Sequence, residues 1–164
     1  MTPGEIEAEL ERLHGAGFAW AMACCGRSRE EAQDVLQTSY LKILDGRAAF
    51  AGRSSFKTFL FGVIRRTASE ARRQNALRSV LLGQWARQKE QPAPKAAPEE
   101  RLALEKALTK LPQRQRQVLV LVFSHGLTVE EAAEALSISA GSARVHYSRA
   151  KRRLHGLIGA KGRS

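Results

Sequence analysis

Apolar residues in this chain recur at three- and four-residue spacing along most of its length, and no stretch alternates with period two. The pattern predicts helices and no strands, an all-α fold. Thr2-Pro3-Gly4-Glu5 has the form of a capping box with proline at the first helical position, so a helix starts there and is expected to run to about Cys25. Ser28-Arg29-Glu30-Glu31 repeats the signal and opens a second helix ending near Asp45-Gly46. Phe50-Ala51-Gly52-Arg53-Ser54-Ser55 reads as a loop, followed by a third, long helix from about Ser55 to beyond Gln74. Arg78–Gln91 is expected to be helical without a clean apolar face, and the Pro/Ala segment Gln91–Pro98 cannot continue a helix. Further helices are expected from Pro98-Glu99-Glu100 to Lys110 and from Pro112 to about Ser124. Thr128-Val129-Glu130-Glu131 forms another capping box, and Ser139 caps the last helix. The resulting organisation is two small helical domains, 1–76 and 99–160, joined by a linker over 77–98.

Charge sharpens this picture. Over 164 residues the net charge is +11, and it is clustered: Glu5 to Asp34 is acid-rich, whereas Leu136 to Ser164 holds seven basic residues and no acidic one. Such a distribution favours a polyanion, with nucleic acid first. Cys24 and Cys25 are adjacent and have no further cysteine to complete a thiolate metal site. His14, His125, His146 and His155 are scattered, and no phosphate-binding loop or catalytic grouping is present, so neither enzyme, metal site nor cofactor is expected. No apolar run is long enough to span a bilayer and no leader pattern precedes the first helix. A soluble protein of a reducing cytoplasm, without membrane insertion, is the expectation.

Placed at 100° per residue, the last helix puts Ala143, Tyr147, Ala150, Leu154 and Leu157 on one face, a core seam. Arg144, Val145, Ser148, Lys151 and Arg152 fall opposite. Two short helices around a tight turn, the second loaded with Arg and Lys, form a helix-turn-helix suited to the DNA major groove. Arginine can bind guanine through two hydrogen bonds and valine can touch a thymine methyl. Ser142, Arg144 and Arg149 are the leading determinants, with Lys151, Arg152 and Arg153 placed for phosphates. Ala107-Leu108, Leu111-Pro112, Arg116-Gln117-Val118-Leu119, Thr128, Glu131-Ala132-Ala133, Leu136, Gly141-Ser142-Ala143-Arg144 and Ser148-Arg149-Ala150-Lys151 together resemble region 4 of bacterial RNA polymerase sigma factors. In that family the module reads the minus-thirty-five promoter element. LuxR-type regulators share a similar helix-turn-helix.

In the second helix the same projection buries Leu36, Tyr40, Ile43 and Leu44 and exposes Asp34, Gln37, Thr38 and Leu41. An exposed leucine among polar residues suits a docking face for another protein. This stretch resembles sigma region 2.2, which implies contact with the clamp helices of the polymerase largest subunit. The third helix is expected to bury Phe56, Phe59, Leu60, Val63 and Ile64, and to expose Phe61, Arg65, Arg66, Ser69, Arg72 and Arg73. Aromatic rings among arginines beside a Gly-Ser loop suit single-stranded DNA. Phe50 to Phe56, then Phe59-Leu60 and Ile64-Arg65-Arg66, resemble regions 2.3–2.4 of the extracytoplasmic-function sigma group, where the loop captures a base flipped from the minus-ten element. The resemblance assigns Phe50, Gly52, Arg53, Ser54, Ser55, Phe61, Arg65, Arg66 and Arg73 to the minus-ten site.

The chain departs from the family in three places. Phe59 stands where members usually carry Trp, and Arg66 where they carry Asn. Region 2.2 typically reads Glu-Asp-Leu-Val-Gln-Glu, and here it reads Gln33-Asp34-Val35-Leu36-Gln37-Thr38, with two carboxylates missing. Either this is neutral drift, or phosphorylation of Thr38 by a Ser/Thr kinase restores the negative charge and switches on polymerase binding. The resemblance implies a sigma factor that binds core polymerase and promoter DNA, held in check by an anti-sigma factor for which Leu81, Leu82 and Trp85 could serve as anchor or could pack on the first domain. The alternatives are a stand-alone helix-turn-helix regulator and a sigma mimic that sequesters an anti-sigma factor.

Overall fold

The computed structural model describes residues 1–83 and 99–161. The chain divides into two compact units, Met1–Gln91 and Pro92–Ser164. The described residues are helical with no strand, as the spacing of apolar positions requires. The Pro/Ala segment, Trp85 and most of the helix expected over Arg78–Gln91 lie outside the described residues.

In the first unit, α1 (Pro3–Arg12) begins with the expected capping box: Thr2 Oγ1 accepts from the Glu5 amide, and Glu5 Oε2 accepts from the Thr2 amide at 2.7 Å. The expected single helix to Cys25 is instead two. α1 closes at Leu13, and α2 (His14–Cys24) starts directly after it. The weak helix formers His14, Gly15 and Gly17 follow the break, and the bend leaves both Leu10 and Leu13 buried. Ser28 caps α3 (Arg29–Leu44), and Ser55 caps α4 (Phe56–Leu81). Because α4 extends to Leu81, residues 77–81, assigned above to the linker, are helical.

α2, α3 and α4 pack together around Trp20, Leu60, Phe61 and Ile64, all fully buried. Trp20 Nε1 donates to the Phe61 carbonyl at 3.0 Å, and the two rings stack with centroids 5.9 Å apart. At the edge of this core Lys42 Nζ bonds Thr67 Oγ1 at 3.2 Å and Glu70 at 2.7 Å, tying α3 to α4.

The second unit comprises α5 (Glu99–Thr109), α6 (Gln113–Phe123), α7 (Val129–Leu136) and α8 (Ala140–Lys161). Leu111, Leu119 and Ala150 form a buried cluster against which Leu108, Tyr147 and Leu154 pack. Thr128 and Glu131 make the expected reciprocal cap on α7. The turn after α7 places Ser137 in the left-handed region, φ +55°, and the Ile138 amide donates back to the Ala133 carbonyl at 3.0 Å. This tight reversal delivers Ser139, whose hydroxyl accepts from the Ser142 amide at the start of α8.

Gly17 sets how closely α2 approaches its neighbours. A Cβ there would lie 3.3 Å from Leu36 Cδ1 and 3.6 Å from Ile64 Cδ1, whereas one at Gly15 would meet nothing within 4 Å. Gly17→Val is therefore expected to destabilise the first unit by roughly 2 kcal/mol through overpacking. Gly15→Ala is expected to stabilise it by a few tenths to about 1 kcal/mol. Urea unfolding of the two variants beside wild type measures both.

Candidate nucleic-acid interface and docking face

α8 presents two faces of different chemistry. Ala143 and Ala150 are buried, and Tyr147, Leu154 and Leu157 are half-buried along the same side. Ser142, Arg144, Val145, Ser148, Arg149, Lys151 and Arg152 are exposed, as the helical projection requires. The Ser142 hydroxyl also accepts from Ser139 at 2.9 Å. Lys151 Nζ stands 4.3 Å from the Tyr147 ring centroid, a cation–π contact that pins its stem to the helix surface. Arg144 Nη2 donates to Glu130 Oε1 of α7 at 3.3 Å. A bond to its own backbone amide and the Arg144 guanidinium hold the Glu130 carboxyl below its ordinary range. Glu130 carried no sequence signal, because the pairing joins residues from two helices across the turn.

The loop between α3 and α4 brings a second group together. Gly52 adopts φ +72°, a conformation that favours glycine, and turns the backbone between exposed Ala51 and Arg53. Phe50, Phe56 and Phe59 form a ring cluster with centroid separations of 5.2 to 5.7 Å. Phe56 is buried, whereas Phe50 and Phe59 are half-exposed. Arg66 and Arg73 are exposed on α4, and Arg65 is half-buried. Ser54 donates to the Ser55 carbonyl, and the Ser55 hydroxyl is taken up by the cap of α4, bonding the Thr58 amide and hydroxyl.

Two expectations are corrected here. Phe61 is fully buried and stacked on Trp20, so it presents no ring to solvent. The first turns of α4 are enclosed by α2 and α3 on more than one side, which buries Phe61 and Gly62 as well as Leu60, Val63 and Ile64. Phe59, expected in the core, is the ring of α4 that reaches the surface beside Phe50. Arg72 also has a different task, since its Nη2 donates to the Cys24 carbonyl at the end of α2 at 2.6 Å. A cation at a helix C-terminus is electrostatically favoured, and this one ties α2 to α4.

On α3, Asp34, Gln37, Thr38 and Leu41 are all exposed and lie along one side, while Ser39 is buried and donates to the Val35 carbonyl at 2.7 Å. Leu41 is 53% exposed. Leu44, expected in the core, is 50% exposed, because the buried side of α3 ends at Ile43, one residue before the helix stops. Beside this face a groove of about 370 Å³ runs between α2 and α3, lined by Phe18, Arg29, Gln33, Gln37 and Tyr40 among others. The Tyr40 hydroxyl donates to the Leu10 carbonyl at 3.4 Å and lies 3.1 Å from His14 Nδ1. Among the described residues no group of His, Cys, Asp and Glu could hold a metal ion, and no helix is long and apolar enough to cross a membrane.

Comparison with known proteins gives a consistent result. Residues 10–78 match the family model for sigma-70 region 2, and residues 101–154 match that for sigma-70 region 4. The extracytoplasmic-function (ECF) RNA polymerase sigma factor SigX of Bacillus subtilis (strain 168) is 29% identical over 122 residues, 69% of this chain and 63% of that protein. This chain thus spans less than two thirds of SigX. The ECF RNA polymerase sigma factor EcfG of Rhodopseudomonas palustris (strain TIE-1) is 28% identical over 145 residues, 88% of this chain and 80% of that protein. The fold is shared with the sigma factor RpoE from Bartonella quintana, solved with the anti-sigma factor NepR, at a TM-score of 0.74 and 24% identity, covering 94% of this chain and 97% of that one. It is also shared with CnrH, solved with the cytosolic domain of CnrY, at a TM-score of 0.64 and 22% identity, covering 94% and 88%.

The Cys25 thiol, at the end of α2 beside the Arg72 contact, is measurable without any partner. Burial, then the nearby Glu31 carboxylate, push the Cys25 thiol up to about 11, against a smaller opposing pull from Arg72. Its thiolate fraction at pH 8 is then about 100-fold below that of an unperturbed cysteine, so alkylation by iodoacetamide is expected to slow by about that factor. A folded-state value above the unfolded one gives stability that is complete below the unfolded value near 9 and is lost as pH rises through about 11. The melting temperature is expected to fall across that window. Cys25→Ser should remove part of the slope, with the half-buried Tyr40 hydroxyl, also raised by desolvation, supplying a further part.

Proposed function

Because the chain belongs to the extracytoplasmic-function group of the sigma-70 family, we propose that it directs core RNA polymerase to a particular promoter set and initiates transcription by melting the minus-ten element. One observation carries this reading: the region 2 and region 4 matches occur in that order, each on its own compact helical unit. The exposed α3 side, Asp34, Gln37, Thr38 and Leu41, is the docking face for the polymerase clamp helices. Leu41 supplies apolar area, and the polar residues around it exclude water.

The second unit lies with α8 in the major groove of the minus-thirty-five element. Arg144, Val145 and Arg149, with the Ser142 and Ser148 hydroxyls, face base edges, while Lys151 and Arg152 neutralise phosphates. In the first unit Phe50, Gly52, Arg53 and Ser54 surround the place where an unstacked minus-ten base is held, and Arg65, Arg66 and Arg73 follow its backbone. Phe59, beside Phe50, takes the stacking role that the sequence assigned to Phe61. Strand opening needs no cofactor and no bond-breaking step, because binding to the extruded base offsets the loss of its stacking.

Regulation is the finer part of the reading. Thr38 is exposed and stands one helical turn after Asp34, so a phosphate there would add about −1.5 to −2 charge to the docking face. A Ser/Thr kinase is the partner this implies. Two proteins sharing the fold are described in complex with other chains, an anti-sigma factor for RpoE and the cytosolic domain of CnrY for CnrH, which supports an anti-sigma partner here. The cytoplasm, where the polymerase works, is the place of action.

Purified chain mixed with core polymerase is expected to give discrete run-off transcripts that core alone does not make. Leu41→Arg should reduce complex formation by about tenfold or more. Phe50→Ala with Phe59→Ala should leave complex formation intact and lower transcript yield. Thr38→Glu should bind polymerase more tightly than Thr38→Ala, and equal binding by both variants and wild type would remove phosphorylation from the reading. Tight duplex binding with no effect on transcript start sites would favour a stand-alone regulator instead.

A further inference from the structure

We propose that Glu130 is a specificity-positioning residue, holding the Arg144 guanidinium so that it addresses a base edge instead of settling on a phosphate. The inference rests on the reading that α8 enters the major groove. Glu130 is the second residue of α7, Arg144 the fifth of α8, and their side chains meet at 3.3 Å across the helix-turn-helix. Both side chains are about three-fifths exposed, so the pair adds little to folding stability. The packing of α7 on α8 is already secured by buried Ala132, Ala133, Ala135, Leu136 and Ala143. What remains for the pair is orientation.

Two physical points give that orientation a consequence. An arginine side chain has many rotamers, and its guanidinium binds a base well only when its fork is presented edge-on. Glu130 takes one Nη2 donor and leaves other N–H groups of the fork available for a guanine acceptor pair. The N-terminus of the first helix in such a motif is also where a phosphate would be drawn by free backbone amides. Here Glu130 lies in the first turn of α7, so negative charge already stands at that end. A phosphate is repelled there, and Arg144 stays directed away from the DNA backbone. Discrimination between sequences depends on the difference between base and phosphate contacts, and Glu130 disfavours the second.

The test uses the full chain bound to core polymerase, with promoter DNA randomised across the upstream element. Wild type is expected to prefer one base pair at the Arg144 position by about tenfold, and Arg144→Ala to abolish that preference. Glu130→Gln should reduce it to about threefold or less at the same base pair. It should also raise affinity for non-specific duplex and steepen its log–log salt dependence by about one, as Arg144 moves to a phosphate. The double variant should match Arg144→Ala, and all melting temperatures should stay together. If Arg144→Ala flattens the preference while Glu130→Gln keeps both preference and salt slope, the positioning role is overturned and the reading of α8 stands. If Glu130→Gln lowers the melting temperature and weakens all sequences alike, the role is structural and the proposal fails. If Arg144→Ala leaves every base preference unchanged, both ideas fail together.

Discussion

Trp20 is wholly out of water, with its indole nitrogen donating to the Phe61 carbonyl and its ring stacked on the Phe61 ring. That contact fixes the rotation of α4 about its own axis. A turn of 100°, one residue, would carry Arg66 to the buried position of Thr67 or the half-buried one of Arg65 and take the arginines of α4 out of line. With Phe61 held inside, Arg66 and Arg73 are left on the outside and Phe59 meets Phe50 at the loop. In the second unit Ala143 and Ala150, both at 0% exposure, do the same for α8, and small residues let the helix approach α6 closely. Each unit thus has one long helix divided between a small core and a basic exposed side, and which side is exposed follows from what the core accepts.

Positive charge alone does not define the binding surface. Lys42 links α3 to α4 through Glu70 and Thr67, Arg72 is bound to the end of α2, and Arg47 is paired with Asp45 at 2.7 Å. These cations serve the fold or are locally balanced. The basic residues of α8 differ in setting, since Arg149, Lys151, Arg152 and Arg153 are exposed along a helix with no acidic residue of its own. The acidic partner of Arg144 is contributed by α7, so the pair joins the two helices across the turn.

Much of this was legible in the residues themselves. Capping boxes at Thr2 and Thr128, and the caps at Ser28, Ser55 and Ser139, depend on contacts within three residues, so helix starts were readable from local chemistry. The amphipathic division of α8 was readable because one side packs and the other is open. α4 defeated the same projection, since a helix enclosed on several sides buries residues all around its first turns. The run Phe59-Leu60-Phe61-Gly62-Val63-Ile64, unbroken by any charge, carried that signal. The break at Leu13 and the contacts of Arg72 and Glu130 arise from tertiary packing, which spacing along one helix does not encode.

Under the proposed function, binding by two helical units opens a promoter without any chemical step. Permanganate footprinting of promoter DNA with core polymerase reports that opening, because the reagent oxidises thymines only when they are unstacked. The expected result is reactive thymines confined to the minus-ten element when this chain is present, and lost in a Phe50→Ala, Phe59→Ala double variant that still joins the polymerase. Unreactive thymines throughout, with the chain demonstrably bound to both polymerase and DNA, would contradict it.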